Sequence, residues 1–318
     1  MKVNRSKSER DAYQHLRDVA ADEGCSVHVG VKLSDYVDLG EVHPDYRSWA
    51  TRAHVDLMLL SEPDLQPVFA VEVDGRHHWD DPRQIERDRQ KDQALEAAGT
   101  PVQRVLTENV GLHSGRERFT TFIAKLWFLS RDFHQAQEDG IVPLDELFSP
   151  WFTYYLGPEI DERGRRRYEH FMPASKIRNT WRTHHGATGV PASPSPQTWT
   201  ISQERPERHT VRSVLPLNDR QFLGSEVTVG RLRIPGLIPW EVAEDLALAE
   251  LFWHYDRWLQ GEPLGRHVRD LDAFLPDRVV PFGSTGEWTA WAFHSFTTRW
   301  LASVLPRRRL GEVLPEYP

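Results

Sequence analysis

His54-Val55-Asp56-Leu57-Met58-Leu59-Leu60 and Val68-Phe69-Ala70-Val71-Glu72-Val73-Asp74 are the two runs that decide the fold of the first third of the chain. Read as strands, the first puts His54, Asp56, Met58 and Leu60 on one face, and the second does the same for Val68, Ala70, Glu72 and Asp74. The connection Ser61–Pro67 is short, so the strands should form an antiparallel hairpin. Symmetry about Asp64 sets Asp56 opposite Glu72 and His54 opposite Asp74. Residues so opposed have Cβ atoms about 4.5–5.5 Å apart, where like charges repel unless a cation lies between them. A hard divalent cation suits that position, because Mg²⁺ is commonly held by one or two carboxylates with waters and substrate phosphate. The competing reading is an ordinary solvent face. Met58, Leu60, Val68 and Ala70 on the same face argue against it.

The flanking sequence extends the pattern. Asp81-Pro82 reads as an N-cap followed by proline at the first helical position, and the helix should run to Ala98 and end at Gly99. Pro101–Leu106 is a further strand, and strand–helix–strand at this spacing makes it parallel to Val68–Asp74. Upstream, Ser6-Lys7-Ser8-Glu9 is a capping-box pattern opening a helix with Glu9, Ala12, Tyr13, Leu16 and Ala20 on one face. Val27, Val29, Val31 and Leu33 alternate as a strand. The expected fold is α/β, a mixed central sheet flanked by helices.

Other polar residues stand in unusual places. Glu9 is explained by its capping box, yet it also lies on the apolar face of its helix. Ile85, Asp88, Asp92 and Leu95 follow the spacing of a core-facing stripe, with Lys91 beside the two acids. A salt-bridged outer face is the alternative there. His77 and His78 follow Gly75 at the end of a sheet strand, where sites concentrate.

This ordered set resembles the PD-(D/E)XK nuclease superfamily, and within it the very-short-patch-repair-like branch with an E-x-D-G-x-x-H signature. The matching residues are Asp56, then Glu72-Val73-Asp74-Gly75 with His77 and His78, then Arg87-Asp88, Lys91-Asp92, Ala98-Gly99, Pro101 and Arg104-Val105. Ser8-Glu9-Arg10 with Tyr13 and Leu16 matches the opening helix. The resemblance covers roughly residues 6–110. It implies a restriction-endonuclease-like core and a Mg²⁺-dependent endonuclease, with Mn²⁺ as a substitute metal. Asp56 and Glu72 would be metal ligands, and Glu9 the first-helix acid. The superfamily usually carries lysine where Asp74 stands here. His77, His78 or Lys91 would then take over that lysine's work. DNA is the implied substrate ahead of RNA, in bacterial defence or repair.

The remaining chain matches no pattern of that kind. A domain boundary is expected near residues 125 and 126, leaving 126–318 as a largely helical, aromatic-rich region with a loop or linker near 186–206. Trp240–Leu259 and Glu287–Val304 carry helical spacing. Arg165, Arg166 and Arg167 lie close to Tyr168, and Lys176, Arg178 and Arg182 flank Trp181, a mixture that suits phosphate contact and base stacking or simply an exposed surface. Trp288, Trp291, Phe293, Phe296 and Trp300 would be core or a surface for a protein partner or a second copy. One cysteine, Cys25, excludes a disulfide framework and any multi-cysteine zinc site. No run approaches the roughly 18 apolar residues that span a bilayer, and the opening residues do not read as a signal peptide, so a soluble cytoplasmic protein is expected. A formal net charge of −8 argues against a general nucleic-acid coat but not against a nuclease, whose metal ligands are acids. The alternative function is a catalytically inactive nuclease-fold module that binds nucleic acid or a partner protein.

Overall fold

The computed structural model describes residues 6–36, 38, 40, 44–75, 81–111, 113–114, 117–145, 148, 154–155, 166–167, 173–187, 198–205, 208–230, 232–234, 239–277, 279, 288–290 and 304–306. The chain divides into two compact units, Met1–Leu112 with Glu117–Arg167 and Val229–Leu237, and His113–Arg116 with Tyr168–Thr228 and Ile238–Pro318.

In the first unit, α1 (Lys7–Asp22) starts where the sequence signals it. Ser6 Oγ accepts the Glu9 amide at 3.1 Å and donates to Glu9 Oε1 at 2.9 Å. Its buried face is Ala12, Leu16, Val19 and Ala20. Gly24, at φ 64°, supplies the left-handed turn into β1 (Cys25–Lys32). A short helix α2 (Pro44–Ala50) leads to β2 (His54–Ser61), β3 (Pro67–Asp74), α3 (Pro82–Ala97) and β4 (Val102–Leu106). Asp81 caps α3 by accepting the Arg83 amide at 2.9 Å, and Gly99 ends it at φ 67°. The four strands form one mixed sheet in chain order, antiparallel except for the β3–β4 pair.

One face of the sheet carries Met58, Leu60, Ala70 and Val102 against Ala94 and Leu95 of α3. Phe69 faces the other way, against Trp127 and Phe128 of α4 (Phe119–Glu138), with ring centroids 5.0 and 5.9 Å apart. Both faces being covered explains why β4 is buried along its whole length. The boundary expected at 125 and 126 falls inside α4, which the first unit keeps whole.

The second unit is not the largely helical region expected from sequence. It holds α5 (Pro173–Ala187), β5 (Trp199–Arg205), β6 (Arg208–Asn218), β7 (Gln221–Gly230), α6 (Pro239–Leu259), β8 (Arg266–His267) and β9 (Trp288–Ala290). The sheet order is β8-β7-β6-β5-β9. Alternation along its strands serves two cores: Val214 and Phe222 meet Ile201, Leu271 and Phe274, while Leu215 and Leu223 meet Ile177, Trp181, Leu251 and Tyr255 of the helices. Residues 199–205, expected in a linker, form a central strand, and 288–290, expected in a helix, form its edge neighbour. Residues 199–205 pair with the strand that directly follows them, and 288–290 pair with 199–205 from far along the chain; sheet pairing overrides local spacing in both. Among the described residues, no helix is long and apolar enough to cross a membrane.

The last two residues of β7, Val229 and Gly230, group with the first unit, as does Arg233, and Gly230 and Arg233 both meet β4. Gly230 approaches β4 so closely that a Cβ there would lie 2.8 Å from the Arg104 carbonyl oxygen. Gly230→Ala should therefore lower unfolding free energy by about 1–3 kcal/mol, measured by urea denaturation. An unchanged midpoint and slope would mean this approach is not a packing constraint.

Candidate active site

The site forms at the end of the sheet where β3 and β4 run out beneath α3. The β2–β3 ladder pairs Leu57 with Val71 and Met58 with Ala70, and shifts between Leu59 and Leu60 so that Leu60 meets Pro67. The symmetry about Asp64 thus holds for the inner pairs and fails near the turn. The paired ladder stops at Leu57–Val71, and one step further Asp56 Oδ2 accepts the Val73 amide at 2.9 Å. A carboxylate that caps a backbone amide at this point is fixed beside Glu72. His54 does not join them, because it is exposed and pairs with Lys32 of β1.

Glu72 is 3% exposed. Its Oε2 receives Lys91 Nζ from α3 at 2.8 Å, and its Oε1 is buried with no hydrogen-bond partner among the described residues. Burial pushes the Glu72 carboxyl up from 4.5 to about 7, against the pull of Lys91 and with a further push from Asp56. Burial likewise raises Asp56, opposed by the Val73 amide and Lys91 and reinforced by Glu9 and Asp74. Burial works against the Lys91 ammonium, but attraction and hydrogen bonding from Glu72 outweigh it and hold its pKa above the usual lysine value. At neutral pH Lys91 is therefore charged while Glu72 exchanges its proton readily.

The parallel register sets Arg104 beside Glu72 and Leu106 beside Asp74. Arg104 reaches Asp74 Oδ2 through Nη1 at 2.8 Å and Asp92 Oδ1 through Nη2 at 2.8 Å, with Asp88 3.4 Å away. Burial disfavours its charge, and Asp74 and Asp92 more than restore it. The acids in the apolar stripe of α3 are explained by this residue. The sequence reading passed over Arg104 as a partner, although an arginine facing a helix from a buried parallel strand must find counter-charges there.

The structure thus brings Asp56, Glu72 and Lys91 together and turns Asp74 to Arg104. Glu9 stays with Ser6 and reaches Asp56 only through its field. His77 and His78 lie outside the described residues, as does Arg165. Arg166 and Arg167 pair in a two-residue ladder with Tyr154 and Tyr155, and Arg178 lies within α5; their side chains are outside the description. Lys176 and Arg182 are exposed on α5. Trp181 is no free stacking platform, since it is 8% exposed and stacks on Tyr255 at 5.7 Å.

Asp56 and Glu72 are the residues that could hold a cation: both offer hard oxygen donors, and Glu72 Oε1 awaits a partner. Among the described residues no group of three or more His, Cys, Asp or Glu is arranged to hold a metal ion. Two carboxylates suit Mg²⁺, which keeps several waters.

Removing the Arg104 charge strands Asp74 and Asp92 in the interior, so Arg104→Met should cost about 3–5 kcal/mol of stability, read by chemical denaturation. A loss within error of zero would contradict the buried cluster. Glu72 carries a pH signature. Its folded pKa, about 7, lies above its ordinary 4.5, so its stabilising protonation is complete below that lower value and lost as pH rises through the upper one. Glu72→Gln abolishes this loss. In metal-free buffer its stability relative to the native chain should climb by up to roughly 3 kcal/mol between about pH 5 and pH 8, and a flat difference would count against the buried acid.

A family described as "Protein of unknown function (DUF2726)" matches residues 5–118, which contain Asp56, Glu72, Asp74, Lys91 and Arg104. No curated protein and no solved structure matches the chain.

Proposed function

We propose that the first unit is a restriction-endonuclease-like core and that the protein is a metal-dependent endonuclease hydrolysing phosphodiester bonds, of DNA ahead of RNA. The observation that carries this reading is the buried pair Asp56 and Glu72, with one Glu72 oxygen unpartnered and the other met by Lys91 from the following helix. A buried carboxylate oxygen without a partner is costly. Such a group calls for an explanation, and a bound ion is one.

In this reading Asp56 and Glu72 hold a divalent cation, Mg²⁺ or Mn²⁺, which supplies Lewis acidity and lowers the pKa of a bound water. Lys91 keeps a fixed positive charge where negative charge grows on the phosphate. It occupies the role usually given to a lysine at the position of Asp74, and Asp74 is released to hold Arg104. Glu72 would have to be ionised to hold the cation, so affinity should rise with pH.

The alternative, a nuclease-fold module without catalysis, draws on Asp74 standing where lysine is usual. Cleavage assays separate the two. Purified protein should nick or cut DNA with Mg²⁺ and lose this with EDTA. Asp56→Ala, Glu72→Ala and Lys91→Ala should each reduce the rate by about a hundredfold to a thousandfold. Cleavage that persists in EDTA, or an unaffected Glu72→Ala, refutes the proposal. Divalent-independent binding without cleavage would establish the alternative.

A further inference from the structure

We infer that Arg233 is a positioning residue for Lys91 and Glu72, so that the segment around it, far from the site in sequence, is an integral part of the nuclease-like unit. The catalytic consequence rests on the function proposed above; the structural one does not.

Three carboxylates, Asp74, Asp88 and Asp92, gather on the single guanidinium of Arg104, which is 4% exposed. One cation does not balance three anions in a buried place. Arg233 supplies a second. Its Nη2 lies 3.8 Å from Asp92 Oδ2, and its Nη1 lies 2.6 Å from Glu96 Oε2. Asp92 therefore gives one oxygen to each arginine.

Asp92 and Glu96 are one helical turn apart on α3, and Lys91 is the neighbour of Asp92. The buried apolar residues of α3 are Ala94 and Leu95, just beyond Lys91. Ion pairs of Asp88 and Asp92 with Arg104, and of Asp92 and Glu96 with Arg233, bracket Lys91 and add to that packing in fixing the rotation of the turn that carries it. A change there alters the 2.8 Å approach of Lys91 to Glu72.

Arg233 is itself held by its backbone. Gln103 Nε2 donates to the Arg233 carbonyl and the Arg233 amide donates to Gln103 Oε1, both at 3.0 Å. This two-bond clasp, with the tight approach of Gly230 to Arg104, registers the segment on β4. The segment belongs to the first unit although residues 168–228 of the second precede it in the chain. An isolated N-terminal fragment lacks it.

The test uses the full chain with Arg233→Met, Arg233→Lys and Gln103→Met. Amide hydrogen exchange should accelerate about tenfold in residues 84–93 of α3 in Arg233→Met while α1 and β2 are unchanged. Arg233→Lys should recover most of the protection, and Gln103→Met should reproduce the loss. In DNA cleavage with Mg²⁺, kcat should fall about tenfold to a hundredfold with KM nearly constant, because a misplaced Lys91 weakens the transition state and not substrate binding. Unchanged exchange in α3, or a rise shared equally by α1 and β2, overturns the positioning role. Altered exchange with unchanged kcat overturns its catalytic consequence. A native chain that does not cleave DNA removes the proposed function, and the exchange comparison still decides whether Arg233 positions α3.

Discussion

Arg104 stands on a strand covered from both sides, with its guanidinium among Asp74, Asp92 and Asp88. Placing a charge there is costly unless hydrogen-bonded counter-charges surround it. The surrounding architecture provides them: β3 ends on Asp74, α3 carries acids in place of apolar residues, and the 229–234 segment brings Arg233 to the remaining oxygen of Asp92. The cluster is an expensive way to join a helix to a sheet. What it gives in return is direction, because ion pairs with defined geometry fix where α3 lies more narrowly than interchangeable apolar contacts do.

That direction matters one residue away. Lys91 reaches Glu72 because Asp92 is anchored, and Glu72 stays buried beside Asp56 because Lys91 offsets part of its burial cost. The compensation is incomplete. One Glu72 oxygen has no partner, and its carboxyl is held near neutrality by burial. Two adjacent clusters of charge thus differ in kind. Around Arg104 each acid meets a guanidinium and serves structure. Around Glu72, two buried acids face the single ammonium of Lys91 and burial raises both carboxyls, and that difference separates a scaffold from a candidate site.

The first unit was legible because its signals are local. A serine cap, a proline-started helix, a glycine at its end and alternating strands each act over a few residues, and the short hairpin connection fixed which acids lie near each other. The second unit was not. Trp199–Arg205 lies beside a Pro- and Ser-rich stretch that suggests a linker, yet pairs with the strand that follows it; Trp288–Ala290 sits in an aromatic run with helical spacing, yet becomes a strand because a partner more than eighty residues upstream offers it a sheet edge. Trp181 reads as a platform among basic residues until Tyr255 is found stacked on it.

The sequence by itself determined that Asp56 and Glu72 would lie near each other, since the hairpin register follows from strand period and loop length for the inner pairs. It also set Asp88 and Asp92 on one stripe with Ile85 and Leu95, since helical period groups them. Only the tertiary structure decided what those charges do. Whether a buried acid is paired, shared or left open depends on atoms supplied by β4, α3 and a segment more than a hundred residues downstream of Arg104. Electrostatics at close range is set by those distances, which no local pattern encodes.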